Sequence, residues 1–218
     1  MESILTDKLS KVLFHGTLMD RAENIINNGI DFNKLNIHAD FGKGFYVTDS
    51  YALAKNTALL RYRQELLKNT NASIPVVLKL KLQNADYSKW KIKEFKGENL
   101  EWKKFVCTNR WYEKVLEKHP DYDHNTSSQY DIVLGLTADG VMSDIGIKIK
   151  EDHYDLSTSF LKVIHPFKTT YMKTIWGQSV PFETKAYQIS FHNKDFIDSC
   201  IRYKGCDILT IDEKEEWL

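Results

Sequence analysis

The sequence predicts a mixed α+β fold, because short strands and helices are interleaved without the regular alternation of a βαβ protein. Two patterns carry that expectation. β-branched and aromatic runs of strand length recur at Val12–Thr17, Phe45–Thr48, Pro75–Leu82, Tyr130–Gly135 and Ala186–His192. Between several of them, apolar residues recur at helical spacing. With 218 residues, 42% of them apolar and 28% charged, the chain is long enough to bury a real core and is expected to be one domain spanning 1–218.

Taken in order, Lys11 to Phe14 reads as a strand that delivers His15, Gly16 and Thr17 to its end. From Asp20, the residues Ala22, Ile25 and Ile26 keep a helical period, and Gly29 is a suitable stop because glycine takes positive φ at little cost. Residues 30–39 form a polar loop expected to wrap over a cleft. Phe45 to Thr48 reads as a short buried strand, and Asp49 or Ser50 as the N-cap of a helix over about 50–68. That helix carries Ala54, Ala58, Leu59, Tyr62 and Leu66 on one stripe. Pro75 to Leu82 alternates and contains Val76-Val77, so it is a strand. Residues 84–99 are rich in lysine and aromatics and ambiguous, whereas 100–116 are mostly helical in period. The polar insertion 119–129 is expected to be the most flexible loop. A buried strand follows at Tyr130 to Gly135, then a helical stretch over 156–176 broken at Pro166. Ala186 to His192 is a strand, 194–200 a short helix, and 202–211 an extended end.

Lys+Arg and Asp+Glu both number 30, so the net charge is zero and no overall field draws the chain to nucleic acid or anionic membrane. Lys89, Lys91, Lys93 and Lys96 read as a solvated charged edge, with a local basic face as the alternative. The three cysteines, Cys107, Cys200 and Cys206, lack metal-ligand spacing and are expected to be reduced. His38, His119, His124, His153, His165 and His192 likewise show no metal spacing, so no metal is expected. Residues 1–7 carry no basic segment and no apolar run, and no stretch reaches the length of a membrane span. A cytoplasmic location, in its own cell or a host's, is the expectation, with no membrane partner.

The stretch that organises the chain is Asp40-Phe41-Gly42-Lys43-Gly44-Phe45-Tyr46-Val47-Thr48-Asp49. Loop, strand and helix follow one another here, which places backbone N–H groups and one tyrosine at the edge of a cleft. Asp40-Phe41-Gly42 also spells the kinase metal-binding triplet, yet the chain has no Gly-x-Gly-x-x-Gly, Val-Ala-Ile-Lys or His-Arg-Asp. Nor does a Walker lysine with Ser or Thr accompany the glycines.

Together with His15-Gly16-Thr17, this stretch resembles the first two motifs of the ADP-ribosyltransferases of the His-Tyr-Glu type, the poly-ADP-ribose polymerases and diphtheria-like toxins. The whole chain is similar to a bacterial and phage family of domains of unknown function placed in that superfamily. Tyr130-Asp131, Gly135, Ala138 and Asp139 match its middle motif, and Gln188-Ile189-Ser190-Phe191 its late strand. The resemblance implies split mixed or antiparallel sheets around an NAD cleft with flanking helices. It implies that His15 bonds a ribose hydroxyl of the adenosine half, that Gly16 and Thr17 hold the nicotinamide amide, and that Tyr46 stacks on the nicotinamide ring. Gly44 and Phe45 complete the cofactor site, and Arg110, in a family-like stretch, is the implied partner of the pyrophosphate. Asp131 is read as structural.

The chain departs from the family pattern in two places. Thr57 stands where polymerases carry a second stacking tyrosine, leaving Tyr51 or Tyr62 as stand-ins. Gln188 stands where the catalytic glutamate would be; glutamine keeps a hydrogen bond to the ribose and loses the charge. Glu183 is the nearest alternative carboxylate upstream. The resemblance implies a mono-ADP-ribosyltransferase that moves ADP-ribose from NAD⁺ to a macromolecular acceptor, protein or nucleic acid, with release of nicotinamide. A toxin or phage-conflict role fits it, with an antitoxin as the partner to look for. A catalytically inactive NAD- or ADP-ribose-binding module and an NAD glycohydrolase are the alternatives.

Overall fold

In the computed structural model, strand β1 (Leu13–Leu18) lies inside a seven-stranded open sheet. The structure describes residues 9, 11–68, 71–83, 86–140, 142–166, 168–173 and 179–209, with backbone alone at 139–140, 168–173 and 179–184. On one side of β1 are β3 (Pro75–Leu82) and then the edge strand β11 (Ile201–Ile208). On the other are β2 (Phe45–Thr48), β10 (Tyr187–Phe191), β5 (Ile132–Leu136) and β4 (Ile92–Glu94). Neighbours are antiparallel except β4 and β5, which run parallel. Two small antiparallel pairs complete the strands: β6 (Ala138–Gly140) with β7 (Ile164–Pro166), and β8 (Lys168–Lys173) with β9 (Ser179–Lys185). The fold is α+β, as its interleaved elements predict.

Both faces of the sheet are covered, and the period of two along each strand divides the core accordingly. On β5, Ile132 and Leu134 join Leu13, Leu78 and Phe191 in one cluster, while Val133 joins Phe41, Phe95, Trp102 and Phe105 in the other. The sheet is one ladder where split sheets are expected from the resemblance, but its β1–β2 seam is thin. β1 pairs with β3 from Leu13↔Leu80 to Leu18↔Pro75, whereas it pairs with β2 at Phe14↔Thr48 alone. Beyond that pair, the His15 ring spans the gap and its Nδ1 meets the Tyr46 carbonyl at 2.6 Å. A side chain replaces the backbone bond where the strands part, and the cleft opens there.

Helices α1 (Met19–Asn28), α2 (Tyr51–Leu66), α3 (Leu100–Arg110), α4 (Tyr112–Lys118), α5 (Met142–Lys150), α6 (Thr158–Leu161) and α7 (Lys194–Cys200) flank the sheet. Gly29 ends α1 with φ +78, its N–H returning to Ile25 O. Ser50 caps α2 by accepting from Leu53 N at 3.2 Å. Three expectations need correction. The helix over 100–116 is two helices, broken at Trp111. The 119–129 insertion, expected to be the most flexible loop, is anchored by Asn125, which is fully buried. Its N–H donates to Asn109 Oδ1 at 2.8 Å, and its amide bonds both the N–H and the carbonyl of Tyr130. The stretch 156–176 holds only the short α6 before turning into β7 and β8, where β-branched Thr169 and Thr170 favour extended backbone. Its residues 167 and 174–176 lie outside the described residues, as do 210 and 211 of the extended end. Residues 84–99, ambiguous in sequence, form a 3₁₀ turn at Tyr87–Lys89 and the strand β4.

Gly16 explains how α2 sits on β1. A Cβ at Gly16 would stand 1.8 Å from the carbonyl oxygen of Ala54 and 2.9 Å from the nitrogen of Ala58. The helix backbone therefore rests on the strand through two buried alanines and one missing side chain. Replacing Gly16 with alanine forces α2 away from β1, and such overpacking costs on the order of 3 kcal/mol or more. Chemical denaturation should show that loss; a Gly16→Ala variant as stable as wild type would mean the helix is not seated on the strand.

Candidate functional site

The cleft is built from the parted ends of β1 and β2, the loop before β2, α2, β10 and the end of α3, and encloses about 1040 Å³. That volume is at the upper end of small-molecule sites. The loop before β2 is shaped by its own sequence. Gly42 has φ +84, and a Cβ there would lie 2.7 Å from the Asn125 carbonyl oxygen, so both dihedral and space demand glycine. The Tyr46 hydroxyl turns back onto the loop, accepting from Phe41 N at 2.8 Å and donating to Gly42 O at 2.7 Å. Burial, followed by the charge of Asp40, raises the Tyr46 pKa, so the phenol stays neutral. Gly44 packs against the His192 ring. His192 Nδ1 donates to Lys43 O at 2.9 Å, leaving Nε2 to accept from Ser190 Oγ at 2.7 Å. Burial is the main reason its pKa falls to about 4.

At the foot of this loop, Asp40 is a hub. Its Oδ1 accepts from Arg110 Nε at 2.5 Å; its Oδ2 accepts from Gln188 Nε2 at 2.5 Å and from Ala138 N at 3.2 Å. Asp40 is only 5% exposed and Gln188 8%. A carboxylate accepts and does not donate, so the amide nitrogen of Gln188 must face Asp40 and Oε1 lies on the far side of the amide. The Asp40 charge, working against desolvation, raises the pKa of Arg110.

His15 is organised by two neighbours. The Tyr46 carbonyl can only accept, so Nδ1 carries the proton and Nε2 the lone pair. Arg61, on α2, places Nη1 3.5 Å from that lone pair and 2.9 Å from Gly16 O. Burial first and the Arg61 charge second hold the His15 pKa down to about 3, against the opposing pull of the Tyr46 carbonyl. His15 is a neutral ring, and its ring packs against Phe45 with centroids 4.7 Å apart.

Every residue assigned to the site from the sequence lines this cleft: His15, Gly16, Thr17, Gly44, Phe45, Tyr46, Arg110 and Gln188. Thr57 lines it as well, whereas Tyr51 and Tyr62 do not. Tyr51 instead meets the edge of Phe14, with centroids 5.3 Å apart. Asp131 is a structural tie away from the cleft, accepting from Lys91 N and Asn193 Nδ2, each at 2.8 Å. The side chains of Asp139 and Glu183 lie outside the described residues. Two cleft residues escape sequence reasoning. Asp40 opens the organising motif and reads as an ordinary loop aspartate, although its place one residue before Phe41-Gly42 is a usable signal. Arg61 lies one helical turn past Thr57, on the same face.

Among the described residues no cluster of three His, Cys, Asp or Glu could hold a metal ion, and no helix is long and apolar enough to cross a membrane. A family model described as a protein of unknown function (DUF3990) matches residues 12–203, a span that includes every cleft residue named above. No curated protein and no solved structure matches the chain.

His15 and His192 are neutral in the fold with depressed pKa values, about 3 and about 4. In the unfolded chain both take up a proton near pH 6.5. The unfolded state therefore binds more protons below that pH, and stability present above about 6.5 is lost as the pH falls toward 4. Denaturation midpoints should drop across that window, and His15→Gln and His192→Gln should each have a shallower slope than wild type. Identical slopes in all three proteins would show that these rings titrate normally.

Proposed function

We propose that this chain, which belongs to the DUF3990 family of proteins of unknown function, is an NAD⁺-dependent mono-ADP-ribosyltransferase whose active site is the cleft at the β1–β2 seam. One observation carries the proposal: His15-Gly16-Thr17, Asp40 with Gly44-Phe45-Tyr46, and Gln188 are far apart in sequence and line one cleft. Their chemistry suits a nicotinamide dinucleotide. His15 Nε2 offers a lone pair to a ribose hydroxyl. Gly16 stands on the side of β1 that faces β2, and in an antiparallel strand its N–H and carbonyl both point that way, as a carboxamide requires. Gln188 Oε1 is turned away from Asp40 and accepts from a hydroxyl of the nicotinamide ribose.

In the reaction, the bond from the anomeric carbon to the nicotinamide nitrogen breaks, and nicotinamide leaves with the electron pair. An acceptor nucleophile on a macromolecule forms the new bond to that carbon and loses its proton to solvent. Positive charge develops on the ribose, so the site's task is orientation and polar stabilisation. Gln188 provides the polar contact without charge; the carboxylate stands one hydrogen bond further back, at Asp40, and is already paired with Arg110. That pairing favours a second reading, a module that binds NAD⁺ or ADP-ribose without turning it over.

Nicotinamide release from labelled NAD⁺ in the presence of cell lysate tests the proposal. Wild type should release it; Gln188→Ala should cut turnover roughly 10- to 100-fold while weakening NAD⁺ binding far less, because the contact matters most as charge develops. Gln188→Glu should not rescue turnover. It sets a second carboxylate against Asp40, so the new group's pKa rises and it stays protonated near neutrality. A raised carboxylate pKa also makes the variant lose stability, relative to wild type, as the pH climbs above the ordinary carboxylate range. Wild-type turnover in Gln188→Ala would remove that residue from the mechanism. NAD⁺ binding by wild type with no release would establish the binding module instead.

A further inference from the structure

We infer that Arg61 forms a phosphate subsite in this cleft, placed to receive the diphosphate of a nucleotide whose ribose hydroxyl is held by His15. The charge balance of the cleft singles it out. Arg110 is neutralised by Asp40 at 2.5 Å, and Arg21, at the rim, by Glu65 at 3.1 Å. Arg61 has no carboxylate partner among the described residues; its contacts are Gly16 O and His15 Nε2, both through Nη1. Among the described residues, its other N–H groups meet no acceptor.

A half-buried guanidinium without a counter-charge is costly unless something anionic completes it. Burial, with the charge of Arg21, brings the Arg61 pKa down to about 10, which still leaves it protonated at neutral pH. The planar fork of a guanidinium matches two phosphate oxygens at once. The neighbouring acceptor refines the choice of ligand. His15 Nε2 lies 3.5 Å from Arg61 Nη1 and takes a hydroxyl, not an anion, so the two groups together read a hydroxyl beside a phosphate. That combination is a nucleoside diphosphate rather than a free inorganic anion. The pyrophosphate role assigned from sequence to Arg110 accordingly moves to Arg61, because the Arg110 charge is already satisfied.

That the diphosphate belongs to NAD⁺ rests on the reading above; that Arg61 receives phosphate does not. Calorimetric titration of wild type, Arg61→Gln and Arg61→Lys with NAD⁺, ADP-ribose, ADP and adenosine separates the two. Arg61→Gln should weaken the three diphosphate ligands by about 10- to 100-fold, as expected for loss of a charged hydrogen bond, and leave adenosine within about 2-fold. Arg61→Lys should recover part of the loss. Retained adenosine binding also reports that the cleft is folded and that His15 keeps its place. Unchanged NAD⁺ and ADP-ribose affinity in Arg61→Gln overturns the subsite while leaving the NAD⁺ reading intact, and an equal loss for adenosine overturns it by making Arg61 a scaffold. Binding of ADP but not NAD⁺, lost in Arg61→Gln, overturns the NAD⁺ reading and keeps the subsite. Failure of wild type to bind any of the four ligands overturns both.

Discussion

The buried carboxylate of Asp40 is the constraint on which the cleft depends. It gathers the end of α3 through Arg110, the start of β6 through Ala138 N, and the start of β10 through Gln188, the second residue of that strand. A carboxylate removed from water must have its lone pairs filled and its charge answered. Arg110 answers the charge and the two N–H donors fill the rest. The identity of residue 188 follows from this. A donor is needed toward Asp40; glutamine has one without a proton to take up, whereas an ionised glutamate has none. A glutamine at 188 is therefore a local requirement of this loop.

Around that hub, polar groups on the cleft wall hold one another in place. The Tyr46 hydroxyl closes the loop on Phe41 and Gly42, and the Tyr46 carbonyl fixes the tautomer of His15. Tyr46 thus acts from both ends. The ring face that the resemblance assigns to stacking is carried on a side chain whose hydroxyl is already committed. Gly16 has a comparable double burden, since the absent side chain admits the backbone of α2 while its own carbonyl faces the seam.

Much of this was legible in the sequence where the determining interactions are local. The bounds of β3 and α7 are those the residue pattern indicates, because alternation, β-branching and an asparagine cap act within a few residues. The His-Gly-Thr and Asp-Phe-Gly-Lys-Gly-Phe-Tyr segments pointed to a shared cleft only as a pair, through the resemblance their combination carries. Distance in the chain is what hid the rest. Nothing near Asn125 says that Asn109 and Tyr130 will bury it, so a polar insertion reads as a loose loop. Asp40 finds its partners 70, 98 and 148 residues away. Arg61 is an ordinary helix arginine until charge pairing elsewhere in the cleft leaves it alone. Around 156–176, pairing between strands overrode a weak helical period.

The order of strands across the sheet also bears on when the molecule becomes itself. β10, which begins at Tyr187, is wedged between β2 and β5, although both precede it in the chain. While the chain is being made, β1, β2 and β3 emerge early, but β2 and β5 cannot be joined until β10 has followed both of them out of the ribosome. Sheets closed by such distant segments form late, after a long search through the unfolded chain. Gln188 arrives with the same strand. The cleft therefore stays open on one side until β10 has paired with both β2 and β5, so the latest-made of its strands decides when its wall is finished.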